Sequence, residues 1–186
     1  MSRRNSGYFV SHPVYDIMAA YLVKMKMQGR KKVYVETSVV SNLTAQRSLN
    51  IVDLARQVAT QQWWDEAVTS YELFSSVLVE REAQRGDADA AARRMEAVDR
   101  LEKLPIIPEA ENLAEKLLEA TAVPRTSYED AVHIAIAAVN GMDFLVTWNC
   151  RHIANAETMP KIYETCRVND FVCPLICTPE QLMKEV

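Results

Sequence analysis

The sequence predicts an α/β fold of three layers, with helices on both sides of a mostly parallel central sheet. Short β-rich segments alternate along the chain with segments of helical periodicity, and this alternation is typical of a parallel sheet. The chain has 186 residues, which corresponds to about one domain. Hydrophobic residues make up 49% of the chain, enough to bury a core, so the composition does not indicate disorder.

The first half of the predicted domain contains two strands and three helices. Residues 32–36 (KVYVE) are rich in β-forming residues and form the first strand. Apolar residues recur at helical spacing over 50–66, and residues 68–74 (VTSYELF) favour a second strand. A helix over 76–86 ends at a glycine, which is a frequent C-cap, and another helix runs over 87–104.

The second half contains the clearest helix of the sequence. A strand between prolines is predicted at 105–108, and the amphipathic helix 109–122 ends before Pro124. The pattern Ser127-Tyr-Glu-Asp130 is that of a capping box, and residues 131–140 are apolar nearly all round, which predicts a buried helix. The remaining predicted elements are a strand at 144–148, a helix at 159–167, a strand at 171–177 and a last helix capped by Thr178-Pro179.

The charge of the chain is unevenly distributed. Residues 1–32 carry seven Lys or Arg and one acidic residue, whereas residues 33–186 carry 14 basic and 24 acidic residues, so that the whole chain has a net charge of −4. This balance argues against a broad basic surface for nucleic acid, though not against a nuclease built around a metal. Residues 1–31 are interpreted as an N-terminal extension and residues 32–186 as the domain. Within the extension, residues 15–27 fit either a helix that packs on a partner or a translated leader.

Several classes of function find little support in the sequence. The four glycines are dispersed, so neither GxGxxG nor a P-loop is present, and no nucleophile elbow indicates acyl transfer. No apolar run reaches the length of a membrane span. We therefore expect a reduced, cytoplasmic protein with no membrane association. Cys173 and Cys177 could bind zinc with His152, but their spacing is not that of a CxxC knuckle, which favours a short buried strand.

Acidic and amide side chains follow the predicted strands. Glu36 ends the first strand, Glu80 and Glu82 lie on the helix after the second strand, Asp130 starts the buried helix, and Asn149 follows the strand 144–148. Because ligands of open α/β sheets bind beyond the carboxyl ends of the strands, we expect three carboxylates and an amide to meet there. Hard oxygen ligands suit Mg²⁺ or Mn²⁺, which activate water for phosphodiester cleavage.

Each of these residues also has a structural interpretation. Asp130 is equally typical of a helix cap, and either glutamate of the charged helix is typical of a solvated face. Asn149 is typical of a turn. His133 lies in an apolar helix, which favours a hydrogen-bonded core residue over a ligand.

Five segments together carry a resemblance to a known family over about residues 32–182. They are Val33–Ser41, Ser76–Asp87, Asp130–Ala137, Phe144–Ile153 and Thr178–Leu182. In these segments the chain resembles PIN-domain nucleases, and among them the VapC-like ribonuclease toxins of prokaryotic toxin–antitoxin pairs. The fold is then expected to be PIN-like.

The resemblance implies a set of site residues. The first acid of the family falls on Glu36 and the third on Asp130, while the pair Gly86-Asp87 places the second acid on Glu82. Glu80 is the lesser candidate, since two residues separated by two positions on a helix point about 200° apart and only one can face the site. The family usually has Asp where this chain has Glu36, and the fourth position, often Asp, falls on Asn149. Three carboxylates suit one tightly held divalent ion, and a second ion could arrive with the substrate phosphate.

The resemblance also implies the surroundings of the site and the function. Thr37 or Ser38 matches a hydroxyl that supports the first acid. Apart from the resemblance, Arg151 and His152 follow Asn149 closely and are candidates for contacts to substrate, although Arg151 is equally typical of ordinary surface charge. The implied function is that of a metal-dependent endoribonuclease, the toxin of a toxin–antitoxin pair, with an RNA substrate, a small antitoxin partner and a homodimeric state. One alternative is a PIN-like module that binds RNA or protein without cleavage. Another is an α/β module unrelated to nucleases.

Overall fold

The centre of the molecule is a sheet of five parallel strands, which the computed structural model describes within residues 29–183. The strands are β1 (Lys32–Val35), β2 (Glu72–Ser76), β3 (Glu102–Leu104), β4 (Phe144–Val146) and β5 (Leu175–Cys177). Their order in the sheet is β3-β2-β1-β4-β5, and every neighbouring pair is parallel. The described elements all belong to the unit Lys31–Val186.

Seven helices in the described residues flank this sheet. They are α1 (Thr37–Thr44), α2 (Ile51–Ser70), α3 (Val77–Ala83), α4 (Ala88–Val98), α5 (Pro108–Glu119), α6 (Tyr128–Val139) and α7 (Met159–Val168), followed by a 3₁₀ turn at Glu180–Leu182. Helix α1 packs on α2, α3 and α4, and α5 packs on α6 and α7. The predicted α/β class with a parallel sheet is confirmed.

Strand β1 and helix α6 lie in the hydrophobic core of the domain. Val33, Tyr34 and Val35 of β1 are completely buried, and so are nearly all residues of α6 from Ala131 to Ala138. A strand that is covered on both faces reads as a continuous apolar run, as β1 does. The buried helix predicted from the apolar segment is confirmed.

The strand order places a topological switch point between β1 and β4. The chain proceeds from β1 to β2 and β3 on one side, then returns to β4 and β5 on the other side of β1. The main-chain N–H of Glu36 donates to the carbonyl oxygen of Val146 at 3.1 Å. Residues that follow β1 and β4 are therefore neighbours at the edge where α/β sheets bind their ligands.

Several elements differ from the sequence prediction, among them the predicted helix 87–104, which ends at Val98, and the predicted strand 171–177, which begins at Leu175. Helix α1 was not predicted, and its N-cap residue Glu36 makes no side-chain capping bond that would mark its start. Strand β2 begins at Glu72 instead of residue 68, because α2 continues to Ser70. Strand β3 lies just before the proline segment 105–108 that was predicted to contain it, since Pro108 starts α5.

The start of α6 also differs. The helix begins at Tyr128, and Ser127 at its N-cap makes no side-chain capping bond, so the predicted capping box does not form. The last predicted helix is a single 3₁₀ turn. The helix predicted at residues 15–27 lies outside the described residues. In the part of the chain that the structure describes, no helix combines the length and the hydropathy needed to cross a membrane.

Candidate metal centre

Glu36 is a buried acidic side chain at the carboxyl end of β1. It is only 6% exposed. Its Oε2 accepts hydrogen bonds from the hydroxyl of Ser38 and from Thr147 Oγ1, the latter at 2.7 Å. Burial of a carboxylate is costly unless donors replace its water, and these two hydroxyls do so. The carboxylate is therefore held at a fixed position in the edge of the sheet.

Glu82 reaches the same place from α3. Its Oε2 accepts from the hydroxyl of Thr37 and lies 3.0 Å from Nε2 of His133. Burial acts to raise the pKa of Glu82, but the hydrogen bond and the charge of His133, with smaller effects of Thr37 and Arg85, outweigh it and hold that pKa below its usual value. Glu82 therefore carries its charge at neutral pH.

Glu80, the lesser candidate from the sequence, is directed elsewhere. Its Oε1 accepts from Lys103 Nζ at 3.0 Å, an ion pair to the end of the neighbouring strand β3. Of the two glutamates on α3, the structure brings only Glu82 to Thr37 and His133. This agrees with the expectation that residues two positions apart on a helix face different sides.

His133 lies behind the carboxylates and is 1% exposed. Its Nδ1 is 2.8 Å from the hydroxyl of Tyr34, which in turn lies 2.7 Å from Ser76 Oγ. Burial lowers the pKa of His133, but the hydrogen bond to Glu82 and the nearby carboxylates outweigh it and raise that pKa above its ordinary value. His133 is thus buried and hydrogen-bonded, as the apolar helix that carries it predicts.

Glu36, Glu82 and His133 form a compact group of potential ligands. One atom from each, a carboxylate oxygen or an imidazole nitrogen, lies within 4.8 Å of the other two. Carboxylate oxygens are the ligands that Mg²⁺ and Mn²⁺ prefer, and imidazole is also a ligand of transition metals. The donor set thus fits a divalent cation. Asp130 is not a member of this group.

Asp130 instead joins Asn149 and His152 at the start of α6. Its Oδ1 accepts from Asn149 Nδ2 at 2.8 Å, and its Oδ2 is 2.8 Å from His152 Nδ1. Ser127 Oγ lies 3.1 Å from the same nitrogen of His152. These bonds show that Asp130 interacts with side chains from the loop after β4 and does not cap its own helix.

Thr147 connects the two groups. Its Oγ1 donates to Glu36 and accepts from the main-chain N–H of Asn149 at 2.8 Å. Asn149 then donates to Asp130. The four acidic and amide residues predicted from the sequence are thus brought to one edge of the sheet, in two groups linked by a single hydroxyl.

The group around Asp130 opens to solvent. A cavity of about 510 Å³ is lined by residues from the N-terminus of α6 and from the loop after β4, namely Thr126, Ser127, Tyr128, Glu129, Asp130, Asn149 and His152. The side chains of Asp130 and His152 are 20% and 24% exposed, so they are accessible from this cavity. Arg151, the other predicted substrate contact, is exposed.

The sequence raises the alternative of a zinc site formed by Cys173, Cys177 and His152. All four cysteines are free, and His152 is bonded to Asp130 and Ser127. Within the described residues, no group of three close ligands includes Cys173 or Cys177.

The sequence reasoning did not include Thr147, Tyr34 or Ser76 in the site. Thr147 follows β4 directly, so its place at the carboxyl end of a strand was a usable signal. Tyr34 and Ser76 lie within or at the end of adjacent strands. The contact of Tyr34 with His133 depends on packing across 99 residues of chain and that of Ser76 with Tyr34 on packing across 42, and neither has a local pattern.

A comparison of the chain with models of known protein families gives a match. The model of the PIN domain matches residues 33–156, which are about two thirds of the 186 residues and include β1 to β4 and both groups of the site. No curated protein matches the chain.

Proposed function

Because the chain belongs to the PIN domain family, we propose that it is a metal-dependent endoribonuclease that hydrolyses phosphodiester bonds in RNA. PIN domains are generally nucleases, which makes hydrolysis of nucleic acid the first function to consider. The observation that carries the proposal is the approach of Glu36 and Glu82, 46 residues apart in sequence, to a common point beside His133. Family membership argues against an α/β module unrelated to nucleases.

The proposed metal ligands are Glu36, Glu82 and Asp130, and the proposed metal is Mg²⁺ or Mn²⁺. When bound, the ion would activate water and neutralise charge on the scissile phosphate. Glu36 and Glu82 supply carboxylate oxygens, buried in Glu36 and half-buried in Glu82, that are fixed by hydroxyl donors. Asp130 supplies a third carboxylate from the side of the open cavity, linked to Glu36 through Thr147 and Asn149.

The remaining site residues orient these carboxylates or contact substrate. Thr37 and Ser38 donate to Glu82 and Glu36, and so fix the rotation of each carboxylate. Asn149 ligates the metal or orients Asp130 and water. His152 and Arg151 lie on the exposed side, where the RNA backbone would pass, and we assign them to phosphate contacts.

The biological role that we propose is that of a toxin. The VapC-like pattern of the sequence supports a toxin–antitoxin pair, with a small antitoxin protein as inhibitor and a homodimer as the active form. The same resemblance supports a cytoplasmic location, where RNA substrates are available.

One observation favours an alternative function. The fourth acidic position of the family is the amide Asn149, which removes one negative charge from the site. A PIN-like module that binds RNA or protein without cleaving it would tolerate this change. Cleavage and binding assays distinguish the two functions.

The experiment incubates purified full-length protein with end-labelled single-stranded RNA, in Mg²⁺, in Mn²⁺ and in EDTA. We expect internal cleavage that requires the divalent ion and is abolished by EDTA. RNA that is retained by the protein but not cleaved in either metal would contradict the nuclease and support the binding module. Cleavage that continues in EDTA would also contradict the proposal.

A further inference from the structure

We propose that His133 and Tyr34 are positioning residues that hold the Glu82 carboxylate in the orientation needed for metal binding, and that His133 does so without binding the metal itself. The inference deepens the proposed function, since it rests on Glu82 as a metal ligand. It concerns a chain of hydrogen bonds from Ser76 through Tyr34 and His133 to Glu82.

The hydrogen bond between His133 and Glu82 has one direction. A carboxylate accepts but does not donate, so Nε2 of His133 carries the hydrogen in this 3.0 Å contact. A ring nitrogen that carries hydrogen has no lone pair for a metal. The short distance between these atoms is therefore that of a donor and its acceptor, and His133 acts on the site through Glu82.

The other ring nitrogen is fixed in turn by Tyr34. In the neutral ring, Nδ1 accepts from the Tyr34 hydroxyl at 2.8 Å, and that hydroxyl accepts from Ser76 at 2.7 Å. Tyr34 and Ser76 are completely buried and His133 is 1% exposed, so water does not compete for these bonds. This arrangement fixes the ring plane of His133 and directs Nε2 towards Glu82, as hydrogen-bond partners of metal sites do in general.

The chain of hydrogen bonds begins and ends on the same helix. Ser76 is the N-cap of α3 (Val77–Ala83), and its Oγ accepts from the main-chain N–H of Val79 at 3.2 Å. Glu82 lies near the other end of α3. Tyr34 on β1 and His133 on α6 therefore fix both the start of this short helix and the carboxylate that it carries.

The donors on Glu82 leave part of the carboxylate free. Thr37 and His133 both donate to Oε2. Oε1 is free of these two donors and is the oxygen that we assign to the metal. Loss of the His133 bond would let the carboxylate rotate and separate it from Glu36.

The test compares Mn²⁺ binding by isothermal titration calorimetry in Tyr34→Phe, His133→Gln and His133→Leu. Removal of a hydrogen-bond partner that supports a metal ligand typically lowers the affinity for the metal about 10- to 100-fold. We expect Tyr34→Phe to weaken Mn²⁺ binding about tenfold, His133→Leu more, and His133→Gln less than His133→Leu because glutamine retains an N–H donor. Cleavage should fall through kcat, with KM for RNA unchanged.

Tyr163→Phe is the matched control. The Tyr163 hydroxyl accepts from the main-chain N–H of Ile176 and belongs to a different part of the fold. The same loss of one hydroxyl there should leave Mn²⁺ affinity unchanged. Equal affinity of Tyr34→Phe, His133→Leu and the wild type, with all variants folded by circular dichroism, would overturn the inference.

Electron spin echo spectroscopy of bound Mn²⁺ in tag-free protein separates positioning from direct ligation. We expect no coupling to an imidazole nitrogen of His133. Nitrogen coupling that disappears in His133→Gln would overturn the inference by making His133 a ligand. A normal Mn²⁺ affinity of Glu82→Gln would instead overturn the role of Glu82, and with it the proposed function, irrespective of Tyr34 and His133.

Discussion

The side-chain amide of Asn149 donates a hydrogen bond of 2.8 Å to Oδ1 of Asp130. The oxygen of the same amide accepts from the main-chain N–H of His152 at 3.1 Å. Only a side chain with both a donor and an acceptor can make these two bonds, so an ionised aspartate would lose the first of them. The amide thus holds Asp130 in place without needing a cation between them.

Replacing Asn149 by Asp should make the stability of the folded protein more dependent on a bound metal ion. The new carboxylate would lie against Asp130, so a hydrogen bond is replaced by repulsion between two partly exposed carboxylates, and we expect the metal-free protein to lose about 1 kcal/mol of unfolding free energy. The additional negative charge should increase Mn²⁺ affinity. Thermal denaturation in EDTA and in Mn²⁺ measures both effects, with the exposed Asn112→Asp as the control. An unchanged melting temperature of Asn149→Asp in EDTA would count against this role.

Thr147 should contribute to stability and to metal binding through a single hydroxyl. Thr147→Val keeps the shape of the side chain but removes the donor to Glu36 and the acceptor for Asn149. We expect a loss of about 1–3 kcal/mol in unfolding free energy, because the buried Glu36 carboxylate loses one of its donors, and weaker Mn²⁺ binding.

Thr165→Val provides the comparison for Thr147. Thr165 is also buried, and its hydroxyl bonds to the carbonyl oxygen of Lys161 within its own helix. Urea denaturation and calorimetric Mn²⁺ titration of both variants should show reduced metal affinity for Thr147→Val alone. If the two variants bind Mn²⁺ equally well, Thr147 does not organise the site.

Asp143 should make stability depend on pH in the acid range. Partial burial acts to raise its pKa, but hydrogen bonds from the side chain of Lys31 and the main-chain N–H of Lys32 hold it below the ordinary value of 3.8. Because its pKa is lowered, the Asp143 carboxylate stabilises the folded state fully above about pH 4. This stabilisation is lost as the pH falls through the pKa of Asp143 in the folded state.

Asp143→Asn checks this expectation by urea denaturation between pH 7 and pH 2. The wild type should be more stable at pH 7 by about 1 kcal/mol or less, since the ion pair is partly exposed. The difference should shrink as the pH falls. A difference that stays constant down to pH 2 would contradict the assignment.

The fold class could be predicted because strand and helix signals alternate through the chain. Two details could not. Helix α1 has eight residues and no side-chain cap, so its polar start resembles a loop. Strand β3 has only three residues, two of them charged, and only three residues separate it from the end of α4, so its sequence resembles a continuation of that helix.

The site could be predicted in part. Glu36 and Asn149 follow strands, and the separation of Glu80 from Glu82 follows from helix geometry. The partnership of His133 with Tyr34 could not be predicted, because 99 residues separate them and only tertiary packing joins them. The same packing divides the predicted carboxylates into two groups, with Asp130 outside the group of Glu36.

The central claim is that Glu82 binds the metal that supports RNA cleavage, and α3 offers a direct comparison. Glu82→Gln and Glu80→Gln make the same chemical change two residues apart, but Glu80 pairs with Lys103 and Glu82 faces His133. The measurement is the rate of Mn²⁺-dependent cleavage of single-stranded RNA by each variant. We expect Glu82→Gln to lose about 100-fold or more, which corresponds to about 3 kcal/mol of lost ligation, and Glu80→Gln to retain the wild-type rate. Wild-type cleavage by Glu82→Gln, or equal loss in both variants, would contradict the claim.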